Sequence, residues 1–176
     1  MNEYPIGILD FEKIRAEGYL YIDKTQTIHK LLDSGNYYFL SRPRRFGKSL
    51  LLSTIKEISE GNKQLFEGLW IHDQWNWEQK HPVIHIKISK IDYQKFGLYD
   101  AIDLELDHQA AKFGLTLLSE GIKGKFYELI EKVSAIGKVV ILIDEYDKPI
   151  TDYLDDLKFR LKNVRLKVTL LKKCRV

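Results

Sequence analysis

The sequence predicts an α/β fold: a three-layer sandwich in which helices cover both faces of a parallel sheet. Two apolar runs, at residues 37–40 and 139–143, and an alternating one at 83–88 have the length and the β-branched or aromatic content of strands. Stretches with helical spacing of apolar residues separate them. Strands that alternate with helices run parallel, because each helical crossover returns the chain to the same end of the sheet.

The elements follow in chain order. Residues 1–18 read as a lead-in with a short helix at 11–16, and 19–22 as a short apolar run with the makings of a strand. Asp23 or Thr25 suits the cap of a helix through about residue 32, since either side chain accepts a hydrogen bond from an open first turn. Ser34-Gly35-Asn36 is a turn signal. Tyr37-Tyr38-Phe39-Leu40 reads as a buried strand and 41–46 as a loop. A helix at 47–59 puts Leu50, Leu51, Thr54, Ile55 and Ile58 on one face, and Glu60-Gly61-Asn62 ends it. Residues 61–81 hold all three tryptophans, Trp70, Trp75 and Trp77, a cluster that reads as core or lid packing before base stacking. His85 sits in the alternating strand 83–88; no second His or Cys stands at metal-ligand spacing, which argues against zinc. Residues 99–118 and 123–134 read as helices, and 138–145 as a central strand buried on both faces.

A chain of 176 residues, 44% apolar, is long enough for one domain with a sizeable core. No stretch approaches the roughly 18–20 consecutive apolar residues of a membrane span, so no membrane partner is expected. The N-terminus lacks a charged start followed by an apolar run, and the single Cys174 cannot close an internal disulfide. Both features suggest a cytoplasmic protein. The pI of about 8.8 has a local origin. Residues 158–176 carry eight of the 28 Lys and Arg and no acid, which leaves 20 basic against 25 acidic residues elsewhere, a net charge of −5. The expected division is therefore a domain at 1–157 and a divergent basic tail at 158–176.

Two strings carry chemistry. The first is Arg42-Pro43-Arg44-Arg45-Phe46-Gly47-Lys48-Ser49, which keeps the second Gly, the Lys and the Ser of the phosphate-binding loop G-x-x-x-x-G-K-[ST] but has Arg42 at the first Gly. Gly47 lets the backbone approach a phosphate, the helix N-terminus aims N–H groups at it, Lys48 adds a positive charge and Ser49 offers a hydroxyl to Mg²⁺. The bland alternative is a basic turn containing Gly-Lys-Ser by chance. The second string is Ile141-Leu142-Ile143-Asp144-Glu145, an apolar strand ending in two acids. Asp144 suits a magnesium ligand and Glu145 a general base, the alternative being an acidic cap after a core strand. Each motif stands at the end of an expected strand, in the order a P-loop protein needs. Arg44 and Arg45 have two readings: they contact phosphates bidentately, or they pair with Asp144, Glu145 or Asp147.

With these strings in place the chain resembles the predicted AAA-ATPase-like proteins. These are bacterial P-loop proteins of the ASCE group whose full-length members look like an N-terminal ATPase followed by a PD-(D/E)XK nuclease-like domain. The resemblance runs from about residue 4 to 154. It rests on Pro5-Ile6-Gly7-Ile8, Asp10-Phe11, Tyr21-Ile22-Asp23-Lys24-Thr25, the phosphate-loop string, Phe66-Glu67-Gly68-Leu69, Pro82-Val83-Ile84 and Ile143-Asp144-Glu145-Tyr146-Asp147-Lys148-Pro149. In that family Arg at the first loop Gly is normal. The resemblance implies ATP and Mg²⁺ as cofactors, with Pro43, Arg44, Arg45, Phe46, Gly47, Lys48, Ser49 and Leu50 around the nucleotide. It implies Ser49 and Asp144 on the metal, and catalytic roles for Glu145 and Lys48. It gives Asp23-Lys24-Thr25 no role.

Beyond about Leu154 the quoted strings stop. Related proteins continue with a further strand, which lies between the Asp-Glu strand and the loop strand and carries a γ-phosphate sensor. Residues 164–171 alternate Val164, Leu166, Val168 and Leu170 with polar neighbours and could supply a replacement. The expectation is a C-terminally truncated member with an incomplete P-loop sheet. Its function is then a Mg²⁺-dependent ATPase or the remnant of one. The alternative is a nucleotide-binding regulatory or interaction module without turnover, and a third is a degraded product. A protein partner or the missing nuclease-like domain is expected beside the nucleotide. Nucleic acid has only that analogy and the basic tail behind it.

Overall fold

The structure, a computed structural model, describes residues 3–41, 43 and 45–152. The element order is α1 (Phe11–Ala16), α2 (Thr25–Ser34), α3 (Lys48–Glu60), 3-10 turns at Lys63–Phe66 and Trp70–Asp73, β1 (Val83–Lys87), a 3-10 turn at Ile88–Lys90, α4 (Tyr93–Phe96), α5 (Leu98–Ala111), α6 (Gly121–Ser134), β2 (Val140–Asp144) and α7 (Lys148–Thr151). The fold is α/β: β1 and β2 are parallel neighbours in a two-stranded sheet, with α4, α5 and α6 between them in sequence. The chain divides into two compact units. One comprises the residues up to Ile84 with Val133–Leu142; the other comprises His85–Lys132 with the chain from Ile143 onward.

The first unit is built on aromatic packing. Asp10 caps α1 by accepting from the Lys13 N–H (3.2 Å). This aims Phe11 and Ile14, both fully buried, at the interior. Phe11 stacks on Phe66 at 4.7 Å and meets the edge of Tyr21 at 5.0 Å, and Phe66 lies 5.0 Å from Trp77. Ile28, Ile55, Ile58, Ile71, Val83 and Leu142 complete this core. Each fully buried side chain of this size contributes about 1.5–3 kcal/mol. Trp75 and Trp77 pack against the core, as expected of the tryptophan cluster, while Trp70 is 40% exposed beside His29. The Phe11 N–H donates to Ser53 Oγ (2.9 Å) and ties α1 to α3. Gly61, at φ 78°, ends α3.

Asp23-Lys24-Thr25 acquires a structural role here. Asp23 Oδ1 accepts from the Thr25 N–H (2.8 Å) and hydroxyl (2.7 Å), and Oδ2 accepts from the Trp70 N–H (2.7 Å). Thr25 Oγ1, fully buried, accepts from the Ile71 N–H (3.2 Å). Two residues thereby clasp the start of α2 to a turn more than forty positions later. Burial alone would raise the Asp23 carboxyl, but the donated bonds from Trp70 and Thr25 outweigh it and the net shift is downward. Asp23→Ala is expected to cost about 1–2 kcal/mol, measured by denaturant unfolding at neutral pH. A depressed carboxylate stabilises above its unfolded value of 3.8 and loses that contribution as pH falls through the folded value. The difference between parent and variant should therefore shrink as pH is taken below 3.8.

In the second unit Gln109 of α5 replaces a strand neighbour for β1. Its Oε1 accepts from the His85 N–H (3.3 Å) and its Nε2 donates to the His85 carbonyl (2.9 Å). Lys125 of α6 bridges Asp103 and Asp107 of α5 at 2.6 Å each. Glu128 is held down at about 2 by its bond from Lys132 and by the Leu118 and Ser119 N–H groups, and so fixes the turn before α6.

Several sequence expectations are corrected. Residues 37–40 form no strand: Tyr37 is 81% exposed and Phe39 68%. Residues 19–22 form none either. A strand exists through its ladder, and no described segment forms one with these runs; the single Leu20 N–H to Glu3 O bond (2.9 Å) is not a ladder. The helix expected at 99–118 is α5, ending at Ala111, where Gly114 at φ 69° turns the chain and the Leu115 N–H reaches back to Ala110 O. β2 is buried on one face: Leu142 and Asp144 point inward, while Ile141 and Ile143 remain 38% and 44% exposed. The replacement strand expected at 164–171 lies outside the described residues.

Candidate nucleotide site

The phosphate-loop string lies in the first unit and the acids Asp144 and Glu145 in the second, and each has its own setting. In the first unit the loop leads straight into α3. Pro43, Arg45, Phe46 and Gly47 are exposed, and Lys48, Ser49 and Leu50 are half-buried where the helix begins. Arg42 and Arg44 lie outside the described residues.

The start of α3 lacks the usual helix cap. Gly47 is the N-cap residue at φ 72°, no side chain caps the helix, and its first turn holds no acid. The first intrahelical bond is Leu51 N–H to Gly47 O (3.0 Å), so the N–H groups of the opening turn have no acceptor within the helix. A positive helix end with neither an Asx or Ser/Thr cap nor an acid suits an anion. Arg45 is left-handed too, at φ 66°. Left-handed residues set among right-handed ones turn successive N–H groups toward one side and form an anion-binding concavity. A Cβ on Gly47 would meet nothing within 4 Å, so it is the left-handed φ and not crowding that favours glycine there.

In the second unit β2 ends at Asp144, which is 6% exposed. Glu145 then leaves the strand at φ 54°, a left-handed conformation that costs a non-glycine residue on the order of 1–3 kcal/mol. Its Oε2 is buried and lacks a hydrogen-bond partner among the described residues. A buried acceptor with no donor is costly unless a ligand, ion or water completes it. The Lys148 N–H closes the turn onto Glu145 O (2.9 Å) and α7 follows. Burial, then the charge of Asp147, raises the Tyr146 phenol. Arg45 and Glu145 are the two described non-glycine residues with positive φ, one in each string.

Each setting, taken by itself, has the chemistry of one part of a magnesium-nucleotide site. The uncapped helix start with Lys48 suits phosphate oxygens, and the unpaired Glu145 oxygen suits a ligand proton. Among the described residues no group of three or more His, Cys, Asp or Glu could hold a metal ion. A nucleotide-bound Mg²⁺ needs no such group, because phosphates and water fill most of its shell and one hydroxyl and one carboxylate complete it. A cleft of about 370 Å³ in the second unit is lined by Lys90, Asp92, Tyr93, Lys148 and Asp152 among others. Tyr93 and Asp152 had no role in the sequence reading; the one signal was the spacing of Lys148 and Asp152, four apart at the start of a helix. No described helix is long and apolar enough to cross a membrane.

The family described as Predicted AAA-ATPase matches residues 5–172, and the chain belongs to it. The match extends beyond residue 154, where the strings that first suggested the family stop. The chain is 44% identical over 167 residues to a protein of Azotobacter chroococcum mcd 1 described as "Uncharacterized protein in vnfD 5'region". That alignment covers 87% of this chain and 30% of the relative, so the chain spans under a third of the relative's length. No solved structure matches it.

Proposed function

We propose that this chain binds ATP with Mg²⁺ and hydrolyses it slowly, as the nucleotide-binding part of a longer ATPase. The observation that carries the reading is the start of α3, where Gly47 is left-handed, no side chain or acid caps the turn, and Lys48 and Ser49 open the helix. Lys48 is assigned to the β- and γ-phosphates, with backbone N–H groups from Arg45 to Leu50 around them, and Pro43, Arg44 and Phe46 lining the loop. Ser49 and Asp144 are assigned as oxygen ligands of Mg²⁺, which when bound supplies charge neutralisation of the transferred phosphoryl group. Glu145 takes the proton of the attacking water. The partner is the remainder of a longer protein, of the nuclease-like kind that the resemblance implies, in a cytoplasmic setting.

Binding is tested by melting the chain with and without Mg-ATP. Saturating nucleotide should raise the midpoint by several degrees. No shift with Mg-ATP or Mg-ADP, in a chain that melts cooperatively, rejects the proposal.

A further inference from the structure

We propose that Asp152 is a positioning residue for Glu145, an inference that rests on the reading of Glu145 as the base. A left-handed non-glycine residue persists only where its surroundings determine it. In the second unit an unbroken series of bonds leads away from Glu145. The Lys148 N–H donates to Glu145 O (2.9 Å), and Lys148 Nζ pairs with Asp152 Oδ2 (2.8 Å) and Oδ1 (3.1 Å). The Asp152 N–H returns to Lys148 O (2.9 Å), so backbone and side chain both close on the same lysine. The Tyr93 hydroxyl then donates to Asp152 Oδ2 (2.5 Å).

Tyr93 is the fixed end of this series. It is 4% exposed and opens α4, whose cap Asp92 accepts from the Lys95 N–H (3.3 Å). Asp152 therefore joins the turn that follows β2 to a buried side chain in the segment that follows β1. Because β1 and β2 are sheet neighbours, the chain leaving one strand is held against the chain leaving the other. The carboxylate acts through Lys148 and the 145–148 turn, and its part in catalysis is to keep Glu145 in the conformation the reaction needs.

The test uses Asp152→Ala, Asp152→Glu and Tyr93→Phe in the full chain, with ATP turnover and amide hydrogen exchange over residues 143–149. Asp152→Ala should lower kcat by about tenfold to a hundredfold while KM for Mg-ATP stays within about twofold, and should speed exchange at the Lys148 amide. Asp152→Glu, which keeps a carboxylate within reach, should recover part of kcat. If Asp152→Ala fails to fold, Tyr93→Phe should give the same split between kcat and KM at smaller size. An unchanged kcat, or a rise in KM that accounts for the loss, overturns the proposal. A parent chain without Glu145-dependent turnover would defeat the base assignment separately. Exchange at Lys148 then decides positioning: faster exchange in Asp152→Ala upholds it, and unchanged exchange overturns it.

Discussion

Replacing Lys48 with alanine is expected to abolish the thermal stabilisation that Mg-ATP confers on the parent chain. Ligand at about a hundredfold excess over Kd contributes about 2.7 kcal/mol to the folded state. For a domain of this size each kcal/mol moves the midpoint by about 2–4 °C, so the parent should gain roughly 5–10 °C. The Lys48 ammonium is assigned two charge-assisted contacts worth about 1.5–3 kcal/mol each. Losing about 3 kcal/mol weakens binding more than a hundredfold, and the shift at the same ATP concentration falls below about 1 °C. Alanine is the best helix former, so the start of α3 should survive the change. A Lys48→Ala protein that keeps the full shift would mean that nucleotide binds elsewhere, and the phosphate-loop assignment would fall.

Glu145→Gln should preserve that stabilisation and stop turnover. Glutamine keeps the volume of glutamate, fits the same turn and retains an amide oxygen, but it cannot take a proton from water. A positioned general base contributes about a hundredfold to ten-thousandfold, so kcat should fall at least a hundredfold with little change in Mg-ATP affinity. Phosphate release under single-turnover conditions measures it. Equal rates for the two proteins would favour the nucleotide-binding regulatory or interaction module over the ATPase.

What was legible in the sequence was mostly local. Residues 11–16 form α1 because Asp10 caps the turn and Phe11 and Ile14 face the same side, and all of that lies within one short stretch. The helix after the phosphate loop was legible for the same reason, from Gly47 to Gly61. The runs at 19–22 and 37–40 misled because a strand depends on a partner remote in sequence, and apolar composition does not specify one. β2 was placed correctly, but its burial was overestimated because Ile141 and Ile143 depend on what packs over the sheet. The candidate site divides in the same way. Gly47, Lys48, Ser49, Asp144 and Glu145 stood out as short strings. The left-handed turn at Glu145 and the bond between Tyr93 and Asp152, 59 positions apart, could not be read from spacing.

Arg45 and Glu145, the two left-handed side-chain-bearing residues among those described, set folding against the proposed function. Glycine at either position would relax the backbone by an amount on the order of 1 kcal/mol. Selection for thermostability alone therefore favours losing a guanidinium from the phosphate loop and a carboxylate from the end of β2. A stabilised variant of this protein should have these two codons checked first, because robustness gained there would come at the expense of the proposed chemistry.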